Sequence, residues 1–236
     1  MSKRGKKYRQ AVQLVDRLQA YSPTEAVELA QKTSTANFDA TVEAHLNMGV
    51  DPRHADQQVR GVVLMPHGTG KQVRILVFAE GEAEKLALEA GADYVGSDEL
   101  INRIQGGWLE FDVAIAIPQI MGKVGRLGRV LGPRGLMPSP KAGTIVQPEE
   151  LPRLIKETRL GRVEFRVDKT ANIHAPIGKV SFSSQQLFDN FATLMEAIAR
   201  AKPTGVKQYV RTVYLTTTMG PGIKVNPMEA MALRTA

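Results

Sequence analysis

The sequence predicts two domains of mixed class, α+β and α/β: an α+β domain formed from both chain ends and an α/β domain inserted into it, joined by a hinge. Three observations lead there. Near both termini the strand-like segments alternate apolar with polar residues, as in an antiparallel sheet with one buried and one wet face. In the middle they are apolar on both sides and alternate with helical segments, as in a parallel α/β unit. A length of 236 residues accommodates two ordinary domains.

In chain order, the basic start lacks the apolar stretch of a secretory signal, and residues 2–9 are expected to fray in isolation. Ser22, Pro23, Thr24 and Glu25 open a helix with capping residues and an early proline. Over 38–48, Val42, Ala44, Leu46 and Met48 alternate with Thr41, Glu43, His45 and Asn47, which predicts a half-buried strand. Pro66, His67, Gly68, Thr69 and Gly70 form a pliable junction. Residues 73–79 and 113–117 are near-continuous apolar runs. Between them lie a helix over 82–90, a short strand over 93–95 and a helix over 98–104. A second junction falls around Gly161. The domains are therefore residues 1–66 with 161–236, and residues 67–160, with Pro66, His67, Gly68 and Gly161 at the hinge. Residues 163–169 and 173–178 are strand-like. Residues 184–201 form an amphipathic helix with Leu187, Phe188, Phe191, Met195 and Ile198 on one face, stopped by Pro203. Residues 206–218 return to strand.

The charge narrows the class of partner. Lys plus Arg number 31 against 24 Asp plus Glu, a net +7 and a pI near 9.7. Such a surface fits phosphate neutralisation with release of counterions. Residues 67–160 hold 12 basic and 12 acidic residues, so the whole excess belongs to the domain made from the two ends. Within the insert no acid occurs from Val113 through Pro148, whereas Lys123, Arg126, Arg129, Arg134 and Lys141 do, interleaved with glycines that permit close approach to phosphate. This Gly/Arg loop is a second, smaller anion-facing patch. Without cysteine there is no disulfide framework, thiolate metal site or cysteine nucleophile. No run of about 18 apolar residues predicts a membrane span, and the cytoplasm is the expected compartment.

Catalytic motifs are not found. The glycine spacing over 122–128 is G-x-x-G-x-x-G, not that of a dinucleotide loop, and residues 65–72 lack the first glycine and the Ser/Thr of a Walker A loop. His45, His54, His67 and His174 show no metal spacing, and no nucleophile elbow or catalytic acid pair stands out. Hence no catalytic residue, metal or cofactor is expected. Phe38 either stacks on an unpaired base or packs in the core. Thr216, Thr217 and Thr218, followed by Met219 and Gly220, form either a polar ledge for ribose and phosphate or an ordinary strand end and turn. Arg162, Arg166, Lys169 and Lys179 make either a binding face or a solvated one. A phosphate-handling enzyme built on the insert and a duplex-DNA binder stay as rival readings.

Several segments carry a resemblance: NFDATVE at 37–43, VRGVVLMPHG at 59–68, LGPRGLMP at 131–138, KAGT at 141–144, DKT at 168–170, IHAP at 173–176 and TTTMG at 216–220. In that order and spacing the chain resembles the family of bacterial large-subunit ribosomal protein one over residues 6–227. The resemblance implies a hinged pair of domains, the inserted one Rossmann-like with three layers, in a protein of the large-subunit stalk. It implies binding to large-subunit ribosomal RNA, contact with deacylated tRNA at the exit site, and repression of its own operon through the messenger RNA. Matched by motif, the RNA contacts would be Phe38, Thr41, Arg53, Arg166, Lys169, Thr170, His174, Thr218, Met219 and Gly220, with the Gly/Arg loop secondary. Free of the ribosome, the chain is expected to be monomeric. Residues after Pro227 match no motif and receive no role.

Overall fold

The computed structural model describes residues 5–234, so residues 2–4 of the start expected to fray, and the last two of the tail, lie outside the described residues. The chain folds as two compact units. One comprises the chain up to Gly70 together with the chain from Val163; the other is Lys71–Arg162.

In the first unit α1 (Lys6–Gln13), α2 (Pro23–Lys32), β1 (Thr41–Met48) and β2 (Arg60–Leu64) come before the insert. The insert holds β3 (Ile75–Phe78), α3 (Glu82–Glu89), β4 (Tyr94–Gly96), α4 (Asp98–Gln105), β5 (Val113–Ala116), α5 (Met121–Val124), α6 (Gly128–Leu131) and α7 (Leu151–Leu160). Then follow β6 (Arg162–Arg166), β7 (Asn172–Lys179), α8 (Ser184–Arg200), β8 (Val210–Thr217), β9 (Ile223–Val225) and α9 (Pro227–Ala232).

The first unit is built on an antiparallel sheet of order β7-β1-β8-β9. Burial alternates strictly along β1, and Val42, Ala44, Leu46 and Met48 point into a core completed by α2 and α8. Each large aliphatic side chain fully buried there contributes about 1.5–3 kcal/mol of transfer free energy. Both helices begin with capping boxes, Ser22 with Glu25 and Ser183 with Gln186, each worth on the order of 1 kcal/mol. Along α8 the buried apolar stripe is Leu187, Phe191, Leu194, Met195 and Ile198, so Leu194 takes the place expected of the half-buried Phe188. β2 and β6 form a separate two-stranded ladder. There a Cβ on Gly61 would meet the Phe165 ring at 2.6 Å, so Phe165 can lie across the strand only over glycine.

In the insert three parallel strands run in the order β4-β3-β5, and all four residues of β3 are buried. The segment read as a Gly/Arg loop is mostly helical: Pro118–Ile120 and Gly125–Leu127 are single 3-10 turns adjoining α5 and α6. Ile120, Val124, Leu127 and Leu131 recur at intervals of four, three and four and enter the core. Gly122, Gly125 and Gly128 lie outside, with open space where a Cβ would stand.

Other expectations also shift. Residues 6–9, expected to fray, form the first turn of α1, and the tail given no role forms α9 with Ala230 fully buried. The first crossing between units falls after Gly70 rather than after Pro66, because Asn190 on α8 holds the junction. Its Oδ1 accepts from His67 N at 3.1 Å, while its Nδ2 donates to Gly68 O at 2.9 Å and to Ile177 O at 2.7 Å. His67 also meets Asp189 at 2.9 Å. The second crossing follows Arg162; Gly161, at φ 107°, caps α7 inside the insert.

Candidate nucleic-acid interface

At one end of the sheet β1 and β8 are locked together by a threonine pair. Thr218 N donates to Thr41 O at 3.0 Å, and Thr218 Oγ1 accepts from Thr41 N at 3.2 Å. Lys179, at the end of β7, donates to Thr41 Oγ1 at 2.8 Å, so its cation stands at the edge of the ledge. Phe38, three residues before β1, is 61% exposed. The core alternative for Phe38 is thus excluded: its ring is presented to solvent.

The three threonines divide their tasks. Thr216 Oγ1 is directed at the Thr217, Gly220 and Pro221 carbonyls at 3.2–3.4 Å and braces the turn. Thr217 points into the core at 3% exposure with its Oγ1 unpartnered, so its side chain is no surface contact; alternation along β8 puts it there. Thr218 is exposed, and the half-buried Thr216 shares the open face with Tyr214. The turn closes with Gly220 N donating to Thr217 O at 2.8 Å. A Cβ on Gly220 would stand 2.2 Å from Thr217 Oγ1, so any side chain there would have to displace that hydroxyl. Met219 occupies the left-handed region at φ 67° with its side chain 75% exposed. A non-glycine residue held there is strained by on the order of 1–2 kcal/mol.

Arg53, Lys169 and Thr170 lie at the opposite end of the sheet. β7 runs antiparallel to β1, with Asn172 opposite Asn47 and Lys179 opposite Thr41, so the turn before β7 sits beyond Met48. The eight residues of β1 separate the two groups by roughly 24 Å. Asp168 organises the far turn: it accepts from Thr170 N, Thr170 Oγ1 and Asn172 N at 2.7–2.8 Å. Its partial burial favours the neutral acid, but these bonds outweigh that and hold its carboxyl below the usual range. Arg166, exposed at the end of β6, precedes that turn. His174 lies between the two ends on the open face, its Nδ1 2.6 Å from the Nδ1 of His45.

In the insert, Arg126, Arg129, Arg134 and Lys141 are exposed, whereas Lys123 is committed to Glu80 at 2.6 Å and Asp98 at 3.0 Å. The Glu80 bond chiefly raises its pKa and fixes the charge inside an acidic pair. Lys123 is an internal counterion there, unlike its four neighbours.

The profile of the ribosomal protein L1p/L10e family matches residues 30–221. The chain belongs to that family. Proteins from Chloroflexus aurantiacus and Chloroflexus aggregans, each called large ribosomal subunit protein uL1, are 60% identical to it over 236 residues, covering 99% of this chain and the whole of each relative. This member of the L1p/L10e family is not an enzyme. The match takes in both ends of the sheet, from Phe38 to Gly220. Two side chains of the face escaped the sequence reading as contacts, His45 and Tyr214. The signal for both was the polar phase of the alternating strands, which gives the wet face but not which of its residues meet.

Proposed function

We propose that this chain is a structural protein of the large ribosomal subunit that binds large-subunit ribosomal RNA through its discontinuous unit. The observation that carries the reading is a pair of large apolar side chains, Phe38 just before Thr41 and Met219 just after Thr218, both exposed at the end of the sheet that the Thr41–Thr218 bridge closes. Exposed aromatic and thioether groups beside a fixed polar bridge suit unstacked bases and ribose edges of an irregular RNA, while Lys179, Arg53, Lys169 and Arg166 supply phosphate contacts. The names of the Chloroflexus relatives support the assignment to the large subunit.

The finer reading adds three roles. The exposed cations Arg126, Arg129, Arg134 and Lys141 of the insert meet exit-site tRNA as a secondary contact. The same RNA-binding face recognises a similar fold in the messenger of the protein's own operon and represses its translation. The crossings after Gly70 and after Arg162 act as a hinge; identical small-angle scattering with and without RNA, both fitting one rigid body, would remove it.

The test is competition in filter binding between a folded large-subunit rRNA fragment and duplex DNA of equal phosphate number. RNA should win by at least tenfold at physiological salt. Equal competition would reduce the face to a general polyanion surface and sink the reading.

A further inference from the structure

The open face of the sheet carries one transverse row of side chains. His174 lies opposite His45, His45 opposite Tyr214, and Tyr214 opposite Lys224, one residue from each of the four strands. At the centre of the row the two imidazoles meet edge to face, ring centroids 4.9 Å apart, with Nδ1 to Nδ1 at 2.6 Å. Each outer nitrogen faces a carboxylate: His45 Nε2 lies 3.5 Å from Glu43, and His174 Nε2 lies 3.6 Å from Asp168.

That chain of four groups counts its own protons. Two nitrogens at 2.6 Å hold one hydrogen between them, because two N–H groups pointed at each other repel. Each Nε2 beside a carboxylate is best satisfied as an N–H donor. Three hydrogens on four ring nitrogens make an imidazolium and an imidazole sharing one proton, a single positive charge between two negative ones. With no added proton, one Nε2 presents a lone pair to a carboxylate. With two added, the central bond breaks and the rings must part.

We propose that the His45–His174 couple is a one-proton site at the centre of the RNA-binding face, filled when RNA binds. The inference rests on the RNA-binding reading above and gives His45, absent from the expected contacts, a role as the proton-sharing partner of His174. Occupying the site changes the four-group chain from two net negative charges to one, on a face that must receive phosphate. Burial is the main reason the His45 imidazole titrates below its ordinary value; His174 beside it acts in the same sense, and Glu43 opposes. That direction agrees with a second proton being refused. Among the described residues, further ionisable groups on this side are Tyr214 of β8 and Lys224 of β9, with Tyr8 and Arg17 of the N-terminal segment lining one hollow beside them. Lys179 at the end of β7 is engaged with Thr41.

The experiment has two arms on the full chain. Ring-nitrogen NMR of 15N-histidine-labelled free protein, titrated from pH 8 to 5, should show one protonation shared by His45 and His174 and a second only at distinctly lower pH. Independent titration of the two rings overturns the site. In the other arm, affinity for the folded rRNA fragment is measured over pH 8 to 6 at fixed salt. It should tighten as pH falls, by up to tenfold per unit for one proton taken up. His45→Gln should flatten that dependence while circular dichroism stays native, and His174→Gln should do likewise. A pH dependence identical in wild type and both variants overturns the linkage. RNA that fails to bind at every pH sinks the RNA reading and the linkage with it, while the NMR arm still decides the proton site.

Discussion

Phe38 turns its ring to solvent, so its replacement separates binding from folding. Phe38→Ala should leave unfolding free energy within about 0.5 kcal/mol, as for a surface change. RNA affinity should fall by about 1–3 kcal/mol, the worth of one stacked base. A shift in melting with unchanged affinity would contradict the stacking role. Met219 offers the complementary case. Asparagine tolerates the left-handed region better than methionine, so Met219→Asn should hold or raise stability by up to about 1 kcal/mol. If the exposed thioether touches RNA, the same variant binds more weakly; equal affinity would make the turn's shape, and not its side chain, what RNA meets. The sequence named both residues but left Phe38 between core and surface. An aromatic at the mouth of an alternating strand has the same neighbours in sequence either way. Thr217 was equally illegible, because one residue of register decides whether a hydroxyl faces RNA or the core.

At the scale of elements, what could be read was periodicity, and what could not was punctuation by distant side chains. The capping box of α2, the alternation of β1 and the stripe of α8 all appear as their local patterns require. The glycines of 122–128 hid a helical stripe that Ile120, Val124, Leu127 and Leu131 had spelled out. The junction around His67 looked pliable because nothing nearby in sequence reveals Asn190, fully buried and more than 120 residues away. Asn190→Ala should therefore destabilise the protein by roughly 3 kcal/mol, since it strands His67 N and the Gly68 and Ile177 carbonyls together. Denaturant unfolding checks this, and a loss under 1 kcal/mol would mean water replaces the amide. Asp112 sets a second element-scale test. Burial alone would raise its carboxyl, but bonds from Lys71 at 2.6 Å and from Arg74 N and Nε at 3.1 and 3.3 Å outweigh it and lower it. A carboxyl depressed in the folded state contributes stability above its ordinary value near 3.8 and loses it as pH falls through the folded value. Asp112→Asn should weaken the fold at neutral pH and blunt its acid sensitivity below about pH 4; an unchanged acid limb would place that sensitivity elsewhere.

For the whole molecule the deciding quantity is where the charge sits. With the crossings at Gly70 and Arg162, the insert gains one arginine and carries 13 basic against 12 acidic residues, which leaves +6 of the +7 to the discontinuous unit. Within that balance Lys123 is paired locally with Glu80 and Asp98. Phosphate binding releases counterions in proportion to the contacts made, at roughly 0.7–0.9 of an ion per phosphate. The logarithm of RNA affinity should therefore fall linearly with that of salt, with a slope set by the first unit. Lys169→Ala, Arg53→Ala and Arg166→Ala, made together, should reduce the magnitude of that slope by about two to three. Arg126→Ala, Arg129→Ala and Arg134→Ala should leave the slope for the rRNA fragment within about one, because those side chains stand on the nearly neutral insert. If the insert triple flattens the salt dependence as much as the other triple does, the grip is shared between the units. The discontinuous unit would then have no special claim to the RNA, whatever charge it holds.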